Sequence, residues 1–419
     1  MTDGSERGAP AASVRRLLGT RAALWVAFVL VHALLVWLNL AAPGLPLGDV
    51  TGVYRVWAEN ASNGWLRMGI DAPWVYPILA FVPMAASLAF GTAWYAQAWL
   101  AIVAALDAVA FSVLLGSARL SRTRRAAAWW WLGFLVLLGP IALGRIDAVT
   151  VPIAMLGLLM AAGRPRVAAV LLTIGAWVKV WPAALVAALV IASRRRLEVV
   201  GIAAALSVGI LGVSVLAGAG LNAFGFIEEQ AGRGLQVEAP LAVAWLWQIV
   251  AGSPDVHVVY SQEILTFQID GPGADAAAAL TTPLMAVGVL VVVLLGVRAV
   301  RRGAVFARVL PPLALAFVVV LMLANKVGSP QFVTWLAAPV VLGLVYRPRR
   351  FAVPALIAAA TALCTQIIYP YWYGWLLAAD PAFVLVLSLK VALLVALLVW
   401  AVATLWQAGV RREPAPITG

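Results

Sequence analysis

Four short polar segments interrupt an otherwise apolar sequence, and their side chains could act on a hydroxyl group or hold a phosphate. They contain Asp49, the pair Arg145 and Asp147, Lys179, and the run 325–331. A carboxylate can take a proton from an attacking hydroxyl. Lysine and arginine can bind a phosphate and stabilise negative charge on it. These residue types therefore suit a site that binds a phosphate and takes a proton from a hydroxyl.

Asp49 follows the first apolar run of the chain, in the segment PLGDVTGVYRVW. A carboxylate at the point where a helix leaves a bilayer can face an amphiphilic substrate and act as a general base. The structural alternative is an N-cap of a helix that begins near Val50.

Arg145 and Asp147 stand at the end of another apolar run, in the sequence GRID. The functional hypothesis is that Arg145 binds a lipid phosphate while Asp147 orients a hydroxyl, because charged groups at membrane depth are usually functional. The alternative is a capping pair beside the headgroups.

Lys179 lies between Trp177 and Trp181 and is followed by Pro182. A lysine in this setting is costly without a partner, and an anionic ligand such as a phosphate would provide one. The alternative is that Lys179 extends to the interface among belt aromatics.

The last polar segment, NKVGSPQ, offers Asn325, Lys326 and Gln331, which suit phosphate or sugar binding. An ordinary polar turn around Gly328 and Pro330 is the alternative. The functional reading rests on convergence, because the polar insertions and the first long loop are all predicted on one side of a membrane.

The composition places the chain in a membrane. Of its 419 residues, 64% are hydrophobic and 11% are charged, and the mean hydropathy is +1.00. Soluble domains contain about 45–50% apolar and about 25% charged residues. A single cysteine, Cys364, excludes an intrachain disulfide framework. The two histidines, His32 and His257, argue against a histidine-rich metal centre, and no metal or other cofactor is expected.

The formal net charge of +12 is explained by topology and does not predict nucleic-acid binding. The arginines concentrate in short loops, as the positive-inside rule requires of cytoplasmic segments. The clusters are Arg15, Arg16 and Arg21; Arg119, Arg122, Arg124 and Arg125; Arg164 and Arg166; Arg194–Arg196; Arg298, Arg301, Arg302 and Arg308; Arg347, Arg349 and Arg350; and Arg411 and Arg412.

About twelve transmembrane helices place all of these clusters on one side, with both termini in the cytoplasm, and most acidic residues on the other side. The predicted fold is an all-α integral membrane bundle with juxtamembrane helices and long extracytoplasmic loops. The predicted spans are Ala22–Ala41, Trp94–Leu115, Ala126–Leu143, Ala148–Ala162, Val167–Val178, Pro182–Ala192, Val199–Ala217, Ala279–Val297, Val309–Leu323, Phe332–Val345, Phe351–Ile368 and Pro381–Trp406.

This topology divides the chain into a cytoplasmic N-terminus (1–21), a first module of seven helices (22–217) with an outer loop at 42–93, a large extracytoplasmic loop (218–278), five further helices (279–406) and a cytoplasmic tail (407–419). Two segments do not fit this topology as single full-length spans. Pro77–Phe90 is apolar but must not cross fully, so we expect a juxtamembrane helix. Val167–Ala192 must cross twice with two short helices, so we expect a hairpin whose tip, Lys179–Pro182, stops below the outer surface.

The pattern resembles the GT-C glycosyltransferase fold. Within that fold it is similar to the polyprenol-phosphate-mannose-dependent α-mannosyltransferases of actinobacteria, in glycosyltransferase family 87, which include enzymes that extend phosphatidylinositol mannosides. The resemblance is carried by Asp49 with Tyr54 and Trp57, by WVYP at 74–77, GRID at 144–147, KVWP at 179–182 and NKVGSPQ at 325–331. The chain departs from commoner family forms at Arg145, where Gln or Asn is expected.

The resemblance implies an inverting sugar transfer on the extracytoplasmic face of the cell membrane. A polyprenyl-phosphate sugar enters from the lipid, and Asp49 deprotonates the hydroxyl of a glycolipid or glycan acceptor. Lys179, Lys326 and Arg145, in that order, are the candidates that hold the leaving phosphate, with Asn325 and Gln331 beside them. The acceptor side would use Asp147, Tyr54, Trp57 and Tyr76.

The main alternative is a flippase for lipid-linked saccharides or another secondary transporter. Such a protein would have charges near the midplane and related halves of the chain. Here nearly all non-cytoplasmic charges are predicted at one face, although Asp107 and Lys390 lie within predicted spans, and no internal repeat is apparent. A membrane acyltransferase is a further alternative, although the chain offers little histidine for its base. Mannose is the sugar implied by the family, with arabinose and glucose open.

Overall fold

The computed structural model describes residues 19–117, 119–262, 264–408 and 410. Residues 1–18 and 411–419, which hold Arg15, Arg16, Arg411 and Arg412 and much of the two predicted cytoplasmic ends, lie outside this range, as does Glu263. Nearly all regular structure in the described residues is helical.

Within the described residues, the first half of the chain contains nine α-helices with short π and 3₁₀ turns between some of them. In order they are α1 (Arg21–Ala41), a π-helical turn (Asp49–Tyr54), α2 (Arg55–Ser62), a 3₁₀ turn (Ile78–Ala80), α3 (Phe81–Ala86), a 3₁₀ turn (Thr92–Trp94), α4 (Tyr95–Leu115), α5 (Arg122–Leu138), a 3₁₀ turn (Gly139–Ala142), α6 (Asp147–Met160), α7 (Pro165–Val178), α8 (Pro182–Ala192) and α9 (Arg196–Leu216).

The second half adds eight helices and one β-hairpin in the part of the chain that the structure describes. They are a 3₁₀ turn (Gly220–Phe224), α10 (Gly225–Ala231), a 3₁₀ turn (Pro240–Ala242), α11 (Val243–Val250), β1 (His257–Ser261), β2 (Thr266–Asp270), α12 (Ala274–Arg301), α13 (Phe306–Leu323), a 3₁₀ turn (Pro330–Leu336), α14 (Ala337–Tyr346), α15 (Pro348–Ile368), α16 (Tyr373–Leu377) and α17 (Pro381–Ala408).

Eight helices within the described ranges are long and apolar enough to cross a membrane: α1, α4, α5, α9, α12, α13, α15 and α17. Each of the other four predicted spans also coincides with a helix, namely α6, α7, α8, or α14 with the turn before it. These helices are shorter, and α6, with 14 residues, is about 21 Å long, less than the hydrocarbon thickness of about 30 Å. The all-α membrane class is confirmed, and the count of twelve crossings stays a prediction.

The distribution of exposed apolar surface shows that lipid surrounds the bundle. The most apolar 18-residue stretch of α13 is 72% buried, and this helix lies in the centre of the bundle. The corresponding stretch of α9 is only 11% buried, although its hydropathy is higher. A helix that is apolar all round and exposed over most of its surface is stable only in hydrocarbon. Helices α1, α12 and α17 are similarly exposed and share this outer position.

The short hairpin predicted at Val167–Ala192 is present. Helix α7 ends at Val178, and the next residue, Lys179, has extended backbone angles of φ −151° and ψ 136°. Pro182 then begins α8, a position that suits proline because the first amide of a helix has no partner within it. The tip therefore presents Lys179 on irregular backbone between two helices. The segment Pro77–Phe90 forms only a three-residue turn and the six-residue α3.

The large loop at 218–278 is folded, and its β-hairpin was not predicted from the sequence. Strands β1 and β2 pair antiparallel, with Val258 opposite Ile269 and Tyr260 opposite Phe267. Residues of the loop form a second apolar core with the end of α15, with α16 and with α17, including Leu235, Leu246, Ile269, Leu376 and Val384. The loop is thus a packed cap on one end of the bundle.

Candidate active site

A cavity of about 620 Å³ opens between the first outer loop, the tip of the α7–α8 hairpin, the large loop and the turn after α13. It is the meeting point of segments that are far apart in the sequence. Seven of the ten predicted site residues line it: Asp49, Tyr54, Trp57, Tyr76, Arg145, Lys179 and Gln331.

Asp49 is the first residue of the π-helical turn that follows the exit of α1. Single π turns are frequent at functional sites. Asp49 begins this helix, and the capping position belongs to Gly48, so the N-cap alternative does not describe the residue. The side chain of Asp49 is 41% exposed, and its Oδ2 lies 3.0 Å from Nε of Arg145. A carboxylate held on one side and open on the other is suited to accept a proton from a bound hydroxyl.

Arg145 is fixed by four acceptors. Its guanidinium donates to the carbonyl oxygens of Pro46 and of Gly144 and, over 2.7 Å, to the hydroxyl of Tyr369, besides pairing with Asp49. A Cβ at Gly144 would lie 2.7 Å from the Pro46 carbonyl oxygen, so only glycine lets this backbone approach. The capping pair with Asp147 suggested by the sequence is therefore replaced by a long-range pair with Asp49.

Lys179 pairs with Asp147 inside an aromatic enclosure. Its Nζ lies 3.3 Å from Oδ2 of Asp147, 5.0 Å from the ring centre of Tyr76 and 5.5 Å from that of Phe332. Burial lowers the pKa of Lys179, but Asp147 and Tyr76 more than offset this, so the pKa lies above its ordinary value. The lysine does not extend to the interface, since its side chain is only 15% exposed.

Asp147 is fully buried and lies behind the cavity wall. Its Oδ1 accepts a hydrogen bond of 2.6 Å from Nε1 of Trp335, and its Oδ2 contacts Lys179. The structure thus places Asp147 where it orients Lys179, whereas the sequence predicted contact with the acceptor.

Aromatic residues of the first outer loop form one wall of the cavity. The hydroxyls of Tyr54 and Tyr76 lie 3.3 Å apart, and Trp57 stacks against Tyr54 and meets Trp74 edge to face. Burial, then Tyr76 and Asp49, raise the pKa of Tyr54 well above its ordinary value, so its hydroxyl keeps its proton.

Of the three candidate residues in the segment after α13, only one lines the cavity. Gln331 lines the cavity, but Asn325 and Lys326 are not among the lining residues. The Asn325 side chain accepts from the amide of Val327, and the Lys326 carbonyl accepts from the amide of Gln236. The large loop therefore docks on this segment through backbone contacts.

Arg233, in the large loop, is a site residue that the sequence analysis missed. It lines the cavity, and its Nε is buried without a hydrogen-bond partner. Burial lowers the pKa of Arg233 more than Tyr76 and Glu229 raise it. Burial and the charge of Arg233 also lower the pKa of Lys326, so these two cations are neighbours. The signal in the sequence was an arginine between two glycines in an otherwise acidic stretch.

Further lining residues come from the large loop and from the end of α15, and the sequence assigned no role to Glu238, Tyr369 or Tyr373. Glu238 also reaches into the bundle, where its Oε2 lies 2.9 Å from Nζ of Lys390. Both side chains are almost completely buried. Lys390 of α17 thus anchors the loop that covers the cavity.

Comparison with known proteins gives one match. The sequence model of glycosyltransferase family 87 matches residues 74–252, which is less than half of the chain. Over this segment the chain is similar to glycosyltransferase family 87. The matched segment contains Tyr76, Arg145, Asp147, Lys179 and the newly found Arg233.

The match to family 87 supports a glycosyltransferase, which is the predicted enzyme class. No curated protein and no solved structure matched the chain. Asp49 and Gln331 lie outside the matched residues, so the structure alone brings them to the same cavity.

Proposed function

We propose that this glycosyltransferase moves a hexose, with mannose the sugar to test first, from a polyprenyl phosphate to a hydroxyl of a glycolipid or glycan. The transfer takes place on the extracytoplasmic face of the cell membrane and inverts the anomeric configuration. The observation that carries the proposal is that the open carboxylate of Asp49 shares one cavity with the cations Lys179 and Arg233.

Asp49 is the proposed general base. The acceptor hydroxyl gives its proton to the free side of the carboxylate while its oxygen forms a bond to the anomeric carbon. The bond from that carbon to the phosphate oxygen breaks at the same time, and the electron pair leaves with the polyprenyl phosphate. Attack opposite the leaving group inverts the anomeric centre.

The leaving phosphate gains charge as this bond breaks, and fixed cations in a site of low polarity stabilise such charge strongly. Lys179 and Arg233 line the cavity and take this role, with the amide of Gln331 as a further donor. Lys326 acts from behind the lining, where the charge of Arg233 lowers the pKa of Lys326.

Two predicted roles change in this proposal. Arg145 holds the base, because its guanidinium is committed to Asp49, Tyr369 and two carbonyl groups. Asp147 holds Lys179, because it has no exposed surface. Asp49 and Asp147 are thus each paired with a cation from a different segment.

The substrates reach the cavity from the membrane. Lipid-exposed helices surround the bundle, and a second hollow of about 430 Å³ beside the first outer loop is lined mainly by apolar side chains. Met68 lines both hollows. The aromatic wall of Tyr54, Trp57 and Tyr76 is placed to contact the acceptor sugar.

The test is transfer by the purified full-length protein from synthetic polyprenyl-phosphate mannose, with glucose and arabinose donors in parallel, to candidate glycolipid acceptors. We expect Asp49→Asn and Asp49→Ala to lower the transfer rate by about 10²–10⁴-fold, the range for a positioned base. Asp71→Asn is the matched control, since Asp71 lies in the same loop, is paired with Arg67 and is outside the cavity lining.

Transfer that is unchanged in both Asp49 variants would refute the assignment of Asp49 as the general base. A product with the anomeric configuration of the donor would refute inversion. Binding or translocation of the lipid-linked sugar by the wild type without any transfer would favour a transporter.

A further inference from the structure

One wall of the active-site cavity carries polar side chains that the proposed transfer step does not use. Gln236 and Glu238 come from the large loop, and Tyr373 is the first residue of α16. Gln236 and Glu238 are buried, with only 6% and 5% of their surface exposed. Buried polar groups normally have hydrogen-bond partners, because leaving them unpaired is costly.

Glu238 is held on one side only. Its Oε2 lies 2.9 Å from Nζ of Lys390 in α17. Within the part of the chain that the structure describes, no residue donates a hydrogen bond to the other carboxylate oxygen, Oε1. Burial, and then the charge of Glu238, raise the pKa of Tyr373, so the carboxylate lies near a hydroxyl of the cavity wall. The ion pair thus fixes the carboxylate and leaves one acceptor oxygen for a ligand.

The neighbouring side chains add hydrogen-bonding groups and an apolar face. The side-chain amide of Gln236 and the hydroxyl of Tyr373 make no hydrogen bond with another described residue. The ring of Phe267, which also lines the cavity, meets that of Tyr373 edge to face at 6.2 Å. A carboxylate accepts hydrogen bonds, whereas an amide and a hydroxyl both donate and accept. A hexose presents the complementary set, with hydroxyl groups around its edge and C–H bonds on its faces.

The order of residues along the loop favours the donor sugar over the acceptor. Gln236 and Glu238 follow closely after Arg233, which is proposed to hold the leaving phosphate. The three residues from Arg233 to Gln236 span at most about 11 Å of chain, so this wall adjoins the phosphate to which the donor sugar is joined. The aromatic wall assigned to the acceptor belongs to the first outer loop, together with Asp49.

We propose that Glu238, together with Gln236 and Tyr373, binds hydroxyl groups of the sugar on the polyprenyl-phosphate donor and thereby selects that sugar. This role rests on the proposed function, since it requires a sugar joined to a polyprenyl phosphate. Oε1 of Glu238 accepts from a sugar hydroxyl, while Lys390 holds Oε2 from within the bundle. A site that pairs a substrate hydroxyl rejects an analogue without it, because the buried acceptor is then left unpaired.

The test measures kcat/KM of the full-length protein for the polyprenyl-phosphate hexose that is transferred fastest and for each of its monodeoxy analogues. We expect the wild type to use at least one analogue about 10–100-fold less well, the effect of losing one hydrogen bond to a charged group. In the double variant Glu238→Leu with Lys390→Met, this ratio should fall to about threefold or less, because the acceptor that distinguishes the two donors is gone. The double variant replaces the ion pair with two apolar side chains and so leaves no stranded charge.

Glu228→Leu is the matched control and should keep the wild-type ratio, since Glu228 is an exposed glutamate of the same loop outside the cavity lining. A wild type that uses every monodeoxy donor as well as the parent would overturn the role of Glu238, whether or not the variant folds, and would leave the proposed transferase in place. Wild-type discrimination that persists in the folded double variant would also overturn it. Absence of transfer from every polyprenyl-phosphate sugar would instead refute the proposed function, and this role with it.

Discussion

The carboxylate of Asp49 lies 3.0 Å from Nε of Arg145, while Asp147, only two residues from that arginine, pairs with Lys179 at 3.3 Å. The two ion pairs therefore connect three polar segments instead of closing within one. This crossed pairing brings a carboxylate and an ammonium group to one cavity and holds each from behind. In this pairing Arg145 holds the carboxylate of Asp49.

Arg145→Lys should lower kcat by about 10–100-fold, the scale expected when a reacting group is misplaced by about 1 Å. Lysine keeps the charge but lacks the planar fork that reaches Asp49, Tyr369 and two carbonyls at once. Steady-state kinetics should show little change in the KM for the donor. A large rise in that KM with kcat preserved would mean that Arg145 binds the donor phosphate. Arg55→Lys is the control, because Arg55 pairs with Glu59 in the outer loop that holds Asp49 and does not line the cavity.

Tyr369→Phe should reduce kcat by about 5–10-fold, because one hydrogen bond to a charged group is lost from the assembly that holds the base. The hydroxyl of Tyr369 accepts from Nη2 of Arg145 at 2.7 Å. The loss should be smaller than in Arg145→Lys, and combining the two should cost less than their product, since both act on Asp49. Tyr371→Phe is the control, because Tyr371 is outside the cavity lining. Independent, multiplicative effects would contradict a shared role.

Gly328→Ala should weaken the docking of the large loop. A Cβ at this position would lie 1.9 Å from the carbonyl oxygen of Glu238, so backbone must move. We expect a loss of about 1–3 kcal/mol in the free energy of unfolding, the usual cost of overpacking, with faster proteolysis within residues 218–278. Gly133→Ala is the control, since open space surrounds that glycine. Thermal unfolding and limited proteolysis measure both effects, and equal behaviour of the two variants would refute the contact.

Lys390→Met should destabilise the protein by about 3–5 kcal/mol, because it leaves the Glu238 carboxylate buried without its partner. Adding Glu238→Gln should restore a large part of that loss by removing the stranded charge. A double-mutant cycle on unfolding in detergent measures the coupling. Additive effects would show that the two side chains do not depend on each other.

The sequence predicted the segmentation of the chain well, because length, hydropathy and arginine placement report the environment of each helix directly. Each of the twelve predicted spans coincides with a helix, including the short hairpin with Lys179 at its tip. Seven predicted site residues line one cavity. This agrees with the predicted topology, which puts their segments on the same side of the membrane.

Partners were harder to predict than positions. Spacing suggested that Arg145 pairs with Asp147, but the close approach of Gly144 to Pro46 turns the guanidinium towards Asp49. Contacts such as that between Glu238 and Lys390 depend on how a long loop folds over the bundle, which periodicity does not encode. Arg233 and the β-hairpin belong to the same loop and were missed for the same reason.

The enclosure of the Lys179–Asp147 pair by Tyr76, Phe332 and Trp335 has a consequence for the conditions under which the protein works. Dissolved ions screen charges that face water within about 8 Å at physiological ionic strength, but they do not enter a space filled by aromatic rings. We therefore expect the phosphate of the proposed donor to be attracted to Lys179 almost equally in dilute and in concentrated salt. The proposed hold on an anionic lipid should then persist when the ionic strength of the surrounding medium changes.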